Sequence, residues 1–407
     1  MELKKIFTTY KAEKITAIAF LVVIFGMLAG LFLTDHNIKE DFLKDYRTTI
    51  LPGTPIIERI AGAIDSLELT IDSDTYKRED YIDFYGWVQK YLGKRVMVDI
   101  GYGELYKTKY GQITYAVPKQ DVSEELESIY QLKKELDNYD IPLLYVQAPF
   151  KLTPEEQQLP ENVKDYANEN ADRFLKGLDA AKIDYLDLRE NYWSKGMTQN
   201  QLFFNTDHHW TINGAFQSYQ EIVDTLNGEY GFRIDERYTD LNNFNQEVFQ
   251  DYYLGSMGRR VGEPYAGIDD FTLITPKFET NYTVYERDYG AEKIFEGDFR
   301  EAVLTKAYLA EGTPPETNRY AVYHGDNAEL QFVNHKVQRS KILLIKDSFG
   351  LPIYSFLSTG VNEVTALDVR LFKDSVAEYA EKYDPDVVII LYNGDCFGDH
   401  MFRFKSR

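Results

Sequence analysis

Thr206-Asp207-His208-His209-Trp210 puts a carboxylate and two imidazoles at three consecutive positions, immediately before a stretch of strong helical period. Ile212, Ala215, Phe216, Tyr219, Ile222, Val223 and Leu226 recur at i, i+3, i+4 and i+7, which predicts an amphipathic helix, with Thr211 as its N-cap. The polar pentapeptide then lies in the loop entering that helix, where short reactive side chains can face a cleft. Far downstream, Lys346-Asp347-Ser348-Phe349-Gly350 follows the apolar run Lys341 to Ile345 and leads into Leu351 to Leu357. This reads as strand, turn and helix, with Ser348 on the turn. A serine hydroxyl is a poor nucleophile until a neighbouring base takes its proton. Ser348, His209 and Asp207 are therefore expected to meet as an acyl-transfer triad, Asp207 orienting the imidazole and stabilising its cationic form.

Working outward, the chain alternates helical and strand patterns. Val122 to Asn138 carries Leu126, Ile129, Tyr130, Leu132 and Leu136 among charges, as a surface helix does. Ile141 to Val146 is an apolar run suited to a strand buried on both faces. Asn168 to Ala181 repeats the helical pattern and Asp184 to Leu188 a short strand. Late in the chain come strands at Val361 to Leu367 and Asp386 to Leu391, with a charged helix from Lys373 to Tyr383 between them. The alternation predicts an α/β fold built on a parallel sheet flanked by helices. Ser348, Arg370 and Asn393, with Tyr392 beside it, fall at strand ends, which share one rim in such a sheet. Arg370, Asn393 and Tyr392 are candidates to contact substrate or an oxyanion. A surface salt bridge is the alternative for Arg370, and a turn cap for Asn393. Residues 231–335 are rich in tyrosines and short alternating runs and read as a β-rich insertion. Tyr81 to Tyr115, with Gly86-Trp87-Val88 and Arg95 to Val98, reads as strands.

Ile15 to Leu33 carries no charge, and at about 1.5 Å per residue it approaches the ~30 Å of a bilayer core. Lys4, Lys5, Lys11 and Lys14 precede it and Asp35, Glu40 and Asp41 follow, so residues 1–14 are expected in the cytoplasm and residues from about 35 onward outside. A cleaved signal peptide is the alternative, but the run is longer than usual and lacks a small-x-small ending. The expected organisation is a tail (1–14), a transmembrane anchor (15–34), a membrane-proximal segment with a turn at Pro52-Gly53-Thr54-Pro55 (35–85), and an α/β domain (86–407). With 66 acidic against 45 basic residues the net charge is -21, which repels phosphate backbones and argues against a nucleic-acid partner. Cys396 is the single cysteine, so no intrachain disulfide forms and no thiolate zinc site exists.

The Asp-His-His-Trp box before a helix, a long insertion, and a late strand running into Asp-Ser-Phe-Gly resemble the DHHW family of bacterial envelope proteins. That family is similar to the alginate O-acetyltransferases, which have an SGNH-hydrolase-like fold and whose aspartate and histidine precede the serine. Their box reads Asp-x-His-Trp, so the resemblance maps Asp207, His209 and Trp210 onto it, Ser348 onto the nucleophile, and His208 onto the variable position, where packing or hydrogen bonding is the plainer role. The likeness runs over residues 80–407 in order of elements, but only the two motifs are specific. It implies a membrane-bound O-acyltransferase partner that supplies the acyl group and a polysaccharide acceptor, with no cofactor. Esterase action through the same triad, and a silent glycan-binding or assembly role, are the rival expectations. Asp-His-His also superficially suggests the DHH phosphoesterases, but their further aspartates and glycine-rich histidine motif are missing, and no metal is expected.

Overall fold

The computed structural model describes residues 14–22, 25–26, 59, 62, 78–99, 103–153, 157–190, 198–288, 290–398 and 401–405. Two compact units divide the chain, Met1–Tyr85 and Gly86–Arg407. In the first, residues 14–22 and 25–26 are helical, while the rest of the expected 15–34 anchor and the 52–55 turn lie outside the described residues. Among the described residues no helix is long and apolar enough to cross a membrane.

The chain then runs through α1 (Arg78–Tyr91), β1 (Val96–Asp99), β2 (Gly103–Lys107), β3 (Ile113–Thr114), α2 (Ser123–Asp137), β4 (Leu143–Gln147), α3 (Ala167–Ala181), β5 (Asp184–Asp187) and α4 (Ile212–Glu229). Next come β6 (Phe244–Tyr253), β7 (Asp269–Pro276), β8 (Tyr282–Asp288), β9 (Ala291–Gly297), β10 (Glu329–Asn334), β11 (Lys341–Lys346), α5 (Gly350–Gly360), β12 (Glu363–Leu367), α6 (Val376–Tyr383) and β13 (Val387–Tyr392). One sheet of eight strands dominates, in the order β5-β4-β13-β11-β12-β10-β8-β9. The first five are parallel, as the alternation predicts.

Side-chain parity divides the core. Leu144, Val146, Ile342, Leu344, Ile389 and Leu391 face one layer with α4 and α5, whereas Leu143, Tyr145, Leu343, Ile345, Val388 and Ile390 face the other with α2, α3 and α6. The result is three layers, with the central strands β4, β13 and β11 buried on both sides, and every fully covered Leu or Ile contributes about 1.5–3 kcal/mol of transfer free energy.

Two expectations are corrected. Residues 81–91 form the body of α1 rather than a strand: Glu79 and Asp80 occupy its first turn and Lys90 its last, matching the helix dipole. Gly86 lets that helix approach closely, because a Cβ there would lie 2.2 Å from the Val261 carbonyl oxygen. The sheet, expected to be parallel, is also extended by the β-rich stretch 231–335. β6 and β7 form a two-stranded antiparallel ribbon, but β10, β8 and β9 continue the main sheet, β10 pairing antiparallel with β12. The sheet is therefore mixed, not wholly parallel.

Candidate active site

Ser348 sits where β11 ends, one residue after Asp347 and two before α5 begins. Asp347 shapes the turn. Its Oδ1 accepts from the Phe349 N–H at 2.8 Å, and its Oδ2 accepts from the Asn393 backbone N–H at 2.7 Å and side-chain amide at 2.9 Å. One carboxylate thus ties the serine turn to the end of the neighbouring parallel strand β13. Burial pushes the Asp347 carboxyl up to about 6, against the pull of the Asn393 and Phe349 N–H groups.

The Asp-His-His-Trp turn reaches the same rim as the tip of a tight loop. Phe203 and Trp210 form an antiparallel bridge at its neck, and the Thr211 N–H donates to the Leu202 carbonyl at 2.7 Å. Thr211 then caps α4, its hydroxyl accepting from the Gly214 N–H at 3.0 Å. Buried Asp269 holds the tip through the Asn205 N–H at 2.9 Å and the Thr206 N–H and hydroxyl, both at 2.7 Å. Lys151, buried between β3 and the loop, donates to the carbonyls of Asp207 and, at 2.8 Å, Ile113. Burial lowers its ammonium to about 8 despite the nearby Asp207 and Asp269 charges.

These ties bring the three expected residues into one hydrogen-bonded line. His209 Nε2 lies 2.7 Å from Ser348 Oγ, and His209 Nδ1 lies 2.5 Å from Asp207 Oδ1. An ionised carboxylate can only accept, so Nδ1 carries the proton and Nε2 is left to accept from the serine hydroxyl. Asp207 is 1 % exposed and takes four donors: the His209 N–H and Nδ1–H on Oδ1, and the Tyr253 hydroxyl (2.9 Å) and Ser256 N–H (2.7 Å) on Oδ2. Burial opposes its charge, but the imidazoles of His209 and His208 and the Ser256 N–H hold the carboxyl well below its usual range. Gly255 makes this approach possible, since a Cβ there would come within 2.3 Å of the Asp207 Cβ. Tyr320 stacks on the His209 ring at 4.0 Å and 14°, while its hydroxyl accepts from Trp210 Nε1 at 2.8 Å.

Tyr253, Ser256, Asp269 and Tyr320 all come from the insertion, which braces the carboxylate and the imidazole from behind. Nothing in their local spacing singles them out, and tyrosines number 32 in the chain. Lys151 leaves a faint trace, a lysine between Phe150 and Leu152 just past a buried strand.

A cleft of about 380 Å³ opens over Ser348, lined also by Tyr115, His208, Ser256, Met257, Arg260, Asp347, Arg370, Asn393, Asp395, Cys396 and Met401. Arg370 is both at the cleft and ion-paired: its Nε and one terminal nitrogen engage Asp368 at 2.8 and 2.5 Å, and that nitrogen reaches Asp326 at 3.3 Å. Asn393 likewise lines the cleft while capping a turn, its Oδ1 accepting from the Asp395 N–H at 2.7 Å. Tyr392 does not join them. It follows Val388 and Ile390 in parity into the helix layer, is fully buried against Phe402, and donates its hydroxyl to the Met401 carbonyl at 2.6 Å. His208 lines the cleft, its Nδ1 3.1 Å from Ser256 Oγ. Potential ligand atoms of Asp207, His208 and His209 lie within 4.8 Å of one another, but a cation there would have to displace donors already bound to Asp207.

A serine, imidazole and carboxylate thus stand in line at the carboxyl rim of a three-layer α/β sheet, an arrangement that can activate Ser348 as a nucleophile. Residues 105–247 match the family model described as SGNH hydrolase-like domain, acetyltransferase AlgX, a span that includes Asp207 and His209 and ends before Ser348. Over about three quarters of the chain, the fold is similar to that of Bacillus cereus PatB1, of which two structures match, one with a sulfonyl adduct. The adduct structure is 22% identical at a TM-score of 0.61, over 76% of this chain and 98% of that one, and the other structure 23% identical at 0.60, over 76% and 99%. A DHHW family protein from Eubacterium siraeum DSM 15702 is similar at a TM-score of 0.55 and 13% identity, over 74% of this chain and 95% of that one. The resemblance that the two motifs carry therefore extends to the fold. No curated protein matches the chain.

Proposed function

We propose that this protein is a serine-dependent O-acyltransferase of the cell envelope, anchored by residues 15–34 with its α/β domain outside the membrane. It moves an acetyl group onto hydroxyls of an envelope or exported polysaccharide. The observation that carries this reading is the 2.7 Å approach of His209 Nε2 to Ser348 Oγ, with Nδ1 held by Asp207. The match to the acetyltransferase AlgX domain supports acetyl as the group moved.

In the first half-reaction His209 takes the Ser348 proton as Oγ bonds to the acyl carbonyl carbon. The donor's leaving group then departs with that proton, leaving an acyl-serine. In the second, His209 takes the proton of an acceptor hydroxyl as its oxygen attacks the same carbon. The Ser348–acyl bond breaks and the proton returns to Oγ. Asp207 offsets the charge on the imidazolium in both. The Ser348 N–H makes no hydrogen bond among the described residues and lies at the start of α5, so it can donate to the oxyanion. Arg370 and Asn393 present further N–H groups from the cleft wall. A membrane-bound O-acyltransferase is the proposed acyl supplier.

The test is product analysis. Full-length protein in detergent is given an activated acetyl donor and envelope glycan oligomers. Acetylated glycan, absent with Ser348→Ala, is the expected product; free acetate alone would instead make the protein an esterase, and no Ser348-dependent product would leave a binding role.

A further inference from the structure

His208 has a distinct relation to this site. Its ring lies 3.8 Å from that of His209, and its side chain is 29% exposed against 8% for His209. Its Nδ1 points to Ser256 Oγ at 3.1 Å and lies 3.5 Å from Asp207 Oδ1. A ring-nitrogen lone pair facing a carboxylate is repulsive, so the proton belongs on Nδ1 and is shared with the serine oxygen. Nε2 is then an acceptor. No hydrogen bond among the described residues engages it, and the residue forms part of the cleft wall over Ser348. Burial and the neighbouring His209 press the His208 imidazole down to about 3, so the acceptor is retained at every physiological pH.

A hydroxyl attacking the acyl-serine gives its single proton to His209 and has none left for a second imidazole. Water keeps its second proton on the attacking oxygen itself, whereas a sugar carries a further hydroxyl on the adjacent carbon, at a fixed distance from the attacking one. We propose that His208 is a specificity-determining residue whose Nε2 accepts a hydrogen bond from the hydroxyl vicinal to the attacking one, so that the site favours acceptors with adjacent hydroxyls. This rests on the acyl-serine reading of Ser348 and goes beyond it by naming the acceptor class and the residue that selects it. Ser256 acts on the choice through His208, by fixing its tautomer, and is a positioning residue.

The experiment uses full-length protein, p-nitrophenyl acetate as donor, and trans-1,2-cyclohexanediol in competition with cyclohexanol. The ratio of the two acetylated products, per hydroxyl, is independent of how fast Ser348 is acylated. A neutral hydrogen bond predicts that the native protein favours the diol about fivefold. His208→Leu should bring the ratio to about one. His208→Gln keeps an acceptor oxygen and should retain part of the preference, and Ser256→Ala should lose part of it. A native ratio near one, or a His208→Leu ratio equal to the native one, overturns the proposal. If His208→Leu fails to fold, Ser256→Ala decides: a native ratio in that variant overturns the proposal. Equal acetylation of cyclohexanol by Ser348→Ala would instead overturn the acyl-serine reading itself, a different result from a lost preference.

Discussion

Replacing Lys151 by Met isolates the buried ammonium that holds the Asp207 loop. At pH 7 two effects oppose each other. The carbonyls of Asp207 and Ile113 lose their donor, at about 1–3 kcal/mol each. Against this, the variant is relieved of burying a cation, and the fall from 10.5 to about 8 corresponds to about 3 kcal/mol. The net change at neutral pH is therefore small and its sign uninformative. The pH dependence decides. A lysine whose folded value is depressed contributes stability that is full above 10.5 and is lost as pH falls through about 8. Between pH 7 and 10 that single group should raise the native protein's unfolding free energy by about 2.5 kcal/mol relative to the variant. Urea unfolding of both proteins at pH 7 and pH 10 measures it, because titrations common to the two, tyrosines included, cancel in the difference. A pH response identical in native and Lys151→Met would refute the reasoning and place the ammonium in contact with water or a carboxylate.

Other outcomes follow from the same geometry. Asp207→Asn keeps the shape but sets an amide NH2 against donors, so phosphonylation of Ser348 by a serine-reactive phosphonate should slow by about 10³–10⁴-fold, with the circular dichroism spectrum retained. Gly255→Ala forces a methyl to within 2.3 Å of the Asp207 Cβ and should cost about 1–3 kcal/mol in urea unfolding and most of the labelling rate. Asp347, raised to about 6, contributes stability that is full below about 3.9 and lost as pH rises through 6. Asp347→Ala should therefore remove about 2.4 kcal/mol of the fall in unfolding free energy between pH 4 and pH 7, measured against the native protein.

Much of the centre was legible because parallel strands buried on both faces read as continuous apolar runs, and β4, β11 and β13 are such runs. The helix after Thr211 declared itself by period and cap. The insertion did not, since β8, β9 and β10 join the sheet through antiparallel pairings that no local pattern encodes. Residues 81–91 misled for a different reason: Trp87 and Tyr91 are exposed aromatics, and their β propensity masks a helix. The site divides the same way. Asp207, His209 and Ser348 stand in two short motifs, whereas Lys151, Tyr253 and Asp269 act through contacts 46 to 63 positions away. Tyr392 was readable in principle, because counting by twos from Val388 turns it into the helix layer.

The most direct measurement is intact-mass spectrometry of the full-length protein after brief exposure to an activated acetyl donor, followed by peptide mapping. The account predicts one acetyl group on Ser348 of the native protein, none on Ser348→Ala, and a rate lower by at least about 10³-fold for His209→Ala. Equal acetylation of all three proteins, or an adduct mapped to another residue, would contradict it.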